Sequence, residues 1–302
     1  MRVTSFTFIS NLNSLLAQNL SRISELQIEI SSGKKLNKPS DDASRVPIVL
    51  GIYSKIERNN QYIRNIDDGL SRFGLTENTL NDISNLINRA KDLAIFGASD
   101  GLNNQDRQIA AVEVNQLIEH LFSLSNKDSV EGYLFGGTKT DSVPVVAIRD
   151  NQNRITRVLA DGNISSAVNR SIGDNDVTEI SSDYNGIFYG NENVFETLIQ
   201  LRDGLEKNDK NQIRDSMEKL NRDHFRAIVS KIGEIGVKVK YFIDRKNEIK
   251  NDFVTLSEQL SSLEDTDIAE SIILLELHLV AYQAALLAGS KIIETTLTSI
   301  LK

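Results

Sequence analysis

A chain of 302 residues with a net charge of −8, 6% aromatics, no Trp and three Pro is long enough for two or three domains. It carries no cysteine, which excludes a disulfide framework and a thiolate metal site; its acidic balance argues against sequence-independent nucleic-acid binding, which needs clustered Lys and Arg. Few aromatics among much Leu, Ile, Asn, Ser and Lys describe long helices around a thin core better than a large globular enzyme.

The start, Met1-Arg2-Val3-Thr4-Ser5-Phe6, lacks the apolar core of a secretory signal peptide, so export by a cleaved signal is not expected. Ile9, Leu12, Leu16, Asn19, Ile23, Leu26 and Ile30 then step by threes and fours, which predicts a helix with a coiled-coil seam. Asn19 is its one polar member; it either fixes register or sits at a wet edge. The helix should stop at Ser31-Ser32-Gly33, where Gly33 fits a left-handed cap. Lys34, Lys35 and Lys38 with Pro39 make a basic turn, and Ser40-Asp41-Asp42 can cap the next helix, with Pro47 in its first turn. The lysines are either a solvated turn or a contact with acidic residues of a neighbouring subunit.

A second seam follows through Ile52, Ile56, Asn59, Ile63, Ile66, Leu70 and Phe73, continued by Leu80, Ile83 and Ile87, and broken at Phe96-Gly97-Ala98-Ser99-Asp100-Gly101. Ala110, Val114, Leu117, Leu121 and Leu124 predict a helix folded back on it. After Asp128 the period changes. Strands are predicted at Pro144–Ile148 and Ile155–Leu159, with turns at Asp150-Asn151, Asp161-Gly162 and Asn185-Gly186. Helix resumes at Val194, pauses at residues 207–210, and then shows the longest seam, from Ile228 to Leu263.

The last stretch, Asp265–Lys302, opens with acidic residues suited to a helix start. Its seam is Ile268, Ile272, Leu275, Leu279, Tyr282, Leu286, Ile293, Leu297 and Ile300, with Gly289 the one small residue in line. Between Ile272 and Ala288 only Glu276, His278 and Gln283 are polar, so the helix is apolar almost all round and must be covered on most sides. Those three residues at its middle argue against a membrane span. No membrane partner is expected.

The fold class expected is therefore mainly α: long antiparallel rods and a coiled coil built from both chain ends, with a small, mostly β domain inserted mid-chain. The domains expected are 1–45 with 265–302 (terminal assembly), 46–140 with 194–264 (helical rods) and 141–193 (β insert). No catalytic constellation emerges: His120, His224 and His278 are isolated, and Asp174-Asn175-Asp176 lacks the following Gly and the twelfth-position Glu of a calcium loop. No metal and no cofactor are expected.

Residues 30–42, with Ser32, Gly33, Lys38, Pro39, Ser40, Asp41 and Asp42, resemble the N-terminal signature of the flagellin superfamily. Gln61–Ile66, Gly132–Thr138 (with Phe135, Gly136 and Gly137), Leu263–Glu270 and Ala281–Leu286 resemble further blocks of its hook-associated, hook–filament junction branch. Ala43 departs from the proline common after the paired Asp. Filament flagellins are the close alternative, richer in Ala around that pair and without the Tyr-Leu-Phe-Gly-Gly element. The resemblance implies a structural flagellar protein exported without a cleaved signal and assembled as a ring. It implies as partners further copies, a hook-associated protein on the hook side, flagellin on the filament side and an export chaperone. It also implies an assembly interface on Leu12, Leu16, Asn19, Ile23 and Leu26 with Ile272, Leu275, Leu279, Tyr282 and Leu286. A secreted coiled-coil adhesin, recognising its target through the β insert, is the reading from a different class.

Overall fold

The computed structural model describes residues 2–129, 132–138, 142–160, 166–181, 185–189 and 192–300, with the side chains of residues 2–6, 8 and 292–300 left aside. The chain divides into two units, residues 1–58 with 251–302, and residues 59–250.

In the first unit, α1 (Arg2–Ser32) and α7 (Ile268–Ile300) run antiparallel. The direction follows from three facing points: Lys34 bridges Asp265, Asn19 meets His278, and Gly289 lies against Leu12. α1 stops as its sequence predicts. Gly33 sits at φ +71° and its N–H donates to the Glu29 carbonyl at 2.9 Å. The turn after it is built by two aspartates. Asp41 accepts from the backbone N–H groups of Lys38 and Asn37, and Asp42 from the Ser44 hydroxyl and the Arg45 N–H. These donors hold both carboxyls below the usual carboxylate range, led by the Lys38 N–H for Asp41 and the Ser44 hydroxyl for Asp42. α2 (Val46–Ala98) starts there with Pro47 in its first turn, where a missing N–H costs nothing.

In the second unit, the later part of α2 is joined by α3 (Asn104–Ser125), α4 (Val194–Lys207), α5 (Lys210–Lys219) and the first part of α6 (Arg226–Glu264). The break before α3 is held by Arg107. Its guanidinium is buried and donates to the carbonyls of Gly97, Leu102 and Ser99 at 2.7–2.9 Å. Among the described residues, three two-stranded antiparallel hairpins lie in the middle of the chain. They are β1 (Asp128–Ser129) with β2 (Gly132–Tyr133), β3 (Val145–Arg149) with β4 (Ile155–Ala160), and β5 (Asn169–Gly173) with β6 (Asp176–Glu179). The predicted strands and the Asp150-Asn151 turn are where the sequence puts them, whereas β5–β6, turning at Asp174-Asn175, went unpredicted. Asp161-Gly162 lies outside the described residues.

Asn185-Gly186 is not a hairpin turn. Asn185–Tyr189 is a single π-helical turn, because Ile187 and Phe188 are drawn into the core. Phe188 packs edge-on against Phe135 at 5.3 Å and face-on against Phe195 at 6.0 Å. The hairpins and helices thus share one core, running from Ile66 and Phe73 through Phe135, Val158 and Phe195 to Phe242. A second π-helical turn, Leu220–Phe225, joins α5 to α6 and buries His224, whose Nε2 lies 2.9 Å from Thr197 Oγ1. The expected fold class holds: mainly helical, with small antiparallel strand pairs.

Candidate functional site

The sequence points to the terminal helices, and the α1–α7 pair is where unsatisfied chemistry collects. At one end, the turn after α1 and the turn before α7 are stitched together. Lys35 N–H donates to the Glu264 carbonyl at 2.5 Å and Thr266 N–H to the Gly33 carbonyl at 3.0 Å. Above these main-chain bonds the buried Glu264 carboxylate accepts from Lys34 Nζ at 2.7 Å and from Tyr53 Oη at 2.9 Å. Glu264 first, then Tyr53, holds the Lys34 ammonium well above its ordinary range.

Lys34 pairs with Glu264 of its own chain while its side chain stays 41% exposed, and Lys35 and Lys38 are exposed on the same turn.

Along the pair, Ile23 and Leu26 of α1 are buried, and Leu12, Leu16 and Asn19 are half-buried. From α7, Ser271, Leu275, His278, Tyr282, Ala285 and Gly289 form the covered line, at steps of four and three. His278 Nδ1 lies 3.1 Å from Asn19 Oδ1, so the imidazole N–H donates to the amide oxygen. A Cβ on Gly289 would sit 2.6 Å from Leu12 Cδ2, so no other residue fits without displacing that leucine. Leu275 and Tyr282 thus lie on the covered side, while Ile272, Leu279 and Leu286 are exposed in the single chain.

A second line went unread in the sequence. Ile273, Leu277, Val280, Ala284 and Leu287 repeat at the same heptad spacing and are exposed, the four large ones by 62–67%. In the stretch Ile268–Lys291, with mean hydropathy 1.7, only 6% of the residues are buried; by length and composition alone it would suffice to cross a membrane. Glu276 and His278 near its middle are the argument against that use.

The remaining motif residues have structural work. Ser32 Oγ accepts from the Lys34 N–H at 3.2 Å, and Lys38, Pro39 and Ser40 are exposed on the turn that Asp41 and Asp42 brace. In the second unit, Phe135, Gly136 and Gly137 are buried, Gly137 at φ +60°. The carbonyl of the neighbouring Leu134 receives an N–H of Arg72 at 2.9 Å. Among the described residues, no group of three or more His, Asp or Glu is placed to hold a metal ion.

Residues 4–140, somewhat under half of the chain, match the family described as the bacterial flagellin N-terminal helical region. The chain is 28% identical over 127 residues to the flagellar filament 30.7 kDa core protein of Treponema maltophilum, a match covering 40% of this chain and 45% of that protein. Such matches span less than half the length of the curated filament proteins concerned. The fold is that of hook-associated proteins. A putative flagellar hook-associated protein from Vibrio parahaemolyticus superimposes with a TM-score of 0.66 at 19% identity, covering 74% of this chain and all of that one. Flagellar hook-associated protein 3 from Legionella pneumophila gives 0.61 at 13% identity, over 70% of this chain and 98% of that one.

Proposed function

We propose that the chain is a non-catalytic structural subunit of the bacterial flagellum that assembles at the junction of hook and filament. The observation that carries this reading is the exposed apolar surface of α7: a heptad line of large aliphatic side chains left 62–67% exposed by the described residues of the chain. Fully burying such a side chain is worth about 1.5–3 kcal/mol, and about two thirds of that remains to be gained at Ile273, Leu277, Val280 and Leu287, a driving force of roughly 4–8 kcal/mol before entropy losses. Residues 1–45 and 265–302 serve as the assembly domain, with copies of the chain as the first partners. Leu12, Leu16, Asn19, Ile23 and Leu26 act with Ile272, Leu275, Leu279, Tyr282 and Leu286 as its interface. A hook-associated protein and flagellin are the neighbours on either side, a dedicated chaperone shields α7 before export, and export reads no cleaved signal.

The relatedness to filament core proteins supports a second reading, a filament subunit. Electron microscopy of cells lacking the protein separates the two. Hooks left intact, with complete filaments shed into the medium, are expected of a junction protein. Hooks with no filament material anywhere indicate a filament subunit, and normal flagella would overturn both.

A further inference from the structure

The apolar seams of α1 and α7 repeat, and a repeating seam does not by itself choose its register. Sliding one helix by seven residues, about 10 Å at 1.5 Å per residue, would again set apolar layers against apolar layers. Three features of the pair do not repeat. The first is the clasp at its root, where Glu264 takes both Lys34 Nζ and Tyr53 Oη while two main-chain bonds join residues 33–35 to 264–266. Asn19 and His278 at mid-pair are the second, and the notch of Gly289 under Leu12 is the third.

We propose that these three points act together as a register lock that commits α7 to α1 of its own chain in a single alignment. A slip of seven residues in either direction puts His278 opposite Leu12 or Leu26, and Asn19 opposite Ser271 or Ala285. His278 would then lose its partner at a half-covered position in either slip and Asn19 in the slip towards Ala285, at a cost of about 1–3 kcal/mol for each group left unpaired, while in the other slip Ser271 offers Asn19 only a hydroxyl. The same slip removes Leu12 from its glycine notch and sets it against Tyr282 or a position beyond Lys291. It also pulls residues 33–35 off 264–266, leaving Glu264 without its lysine. The apolar seam supplies affinity and the three exceptions supply alignment. Pairing in cis follows from the clasp: an α7 from another chain could use the seam, but it would have to displace a root already closed by Glu264.

The chain holds no native cysteine, so engineered pairs report alignment cleanly in the full-length protein. Ile23→Cys with Leu275→Cys reads the observed register, since this layer lies between the Asn19–His278 and Lys34–Asp265 contacts. Leu16→Cys or Ile30→Cys with Leu275→Cys reads a slip of seven. Under mild oxidation the first pair should close within one chain roughly tenfold faster than either slipped pair, the ratio that about 1.4 kcal/mol of preference gives. Repeating the measurement in a Glu264→Gln, Asn19→Leu, His278→Leu background, whose seam is more apolar and still pairs, should bring the rates to within about threefold and add links between chains. Equal rates in the parent would overturn the proposal, as would an undiminished preference in the triple variant. Neither readout depends on a flagellum being built, so the lock and the junction role stand or fall separately.

Discussion

Gly69 and Gly74 sit five residues apart in α2, and alanine at the two should act in opposite directions. At Gly69 an added methyl would fall well inside van der Waals contact with Cε1 of Phe242, 3.1 Å from its Cδ1 and 3.3 Å from Ile180 Cγ2. The Phe242 ring has no freedom to give way: it is fully buried and packs edge-on against Phe73 at 5.1 Å. Overpacking of this kind costs about 1–3 kcal/mol, and the upper half of that range suits so constrained a ring. Against it stands the helix-propensity gain of Gly→Ala, about 1 kcal/mol. The net is a loss of about 1–2 kcal/mol. A unit of 192 residues, 59–250, shifts by about 2–4 °C per kcal/mol, so Gly69→Ala should melt about 2–8 °C lower. At Gly74 nothing lies within 4 Å of the added methyl, so the propensity gain stands alone and the melting temperature should rise by about 2–4 °C. Far-ultraviolet circular dichroism follows both. Adding Phe242→Leu to Gly69→Ala should make the pair less damaging than the sum by about 1 kcal/mol or more. The reasoning fails if Gly69→Ala is as stabilising as Gly74→Ala, or if the double variant is additive.

Three other perturbations reach different parts of the molecule. Burial pushes the His224 imidazole below its ordinary pKa, with Asp223 and Glu192 opposing. The unfolded chain therefore binds the proton first: this contribution is complete above about pH 6.5 and is lost as pH falls below it, with a slope of up to about 1.4 kcal/mol per pH unit. Melts at pH 7.5 and 5.5 should diverge less for His224→Leu than for the parent, and parallel shifts would count against the assignment. Arg107→Met removes three charge-assisted donors from Gly97, Ser99 and Leu102 and should cost about 3 kcal/mol or more; a melting temperature within 1 °C of the parent would contradict the role given to that side chain. Leu277→Glu with Val280→Glu, at positions 62% and 65% exposed, should leave the free chain's melting within about 0.5 kcal/mol yet abolish assembly, since two unpaired carboxylates cannot be covered; normal assembly of this variant would sink the interface.

The elements best predicted from the sequence are those fixed by local chemistry. Gly33 ends α1 because its left-handed φ suits glycine, Pro47 opens α2 because its missing N–H is harmless there, and Asn208 at φ +57° ends α4 inside the predicted pause. The β3–β4 hairpin was legible from the loss of helical period after Asp128 and its Asp150 turn. What failed were positions decided at long range. Asn185-Gly186 has hairpin chemistry, yet the demand of the core for Phe188 overrides it. The partner of Lys34 could not be read from the sequence, because it lies 230 residues away in the same chain.

The terminal interface was legible in kind but not in orientation. A helix apolar on nearly every side offers several seams of equal spacing, and hydrophobic period cannot say which faces α1. Leu275 and Tyr282 lie on the covered line, and Ile272, Leu279 and Leu286 on the open flank. The signals that discriminate are the non-apolar members, Ser271, His278 and Gly289. Read as a heptad line of their own, they would have identified the covered face.

Amide hydrogen exchange over Ile272–Leu286, in the free chain and in the assembled state, tests the central claim most directly. A helix with so little of its apolar surface covered opens locally at low cost. Exchange there should be rapid in the free chain, while the core around Phe135 and Phe242 stays protected, and should slow by orders of magnitude on assembly. Strong protection of Ile272–Leu286 in the isolated chain, unchanged on assembly, would contradict the account.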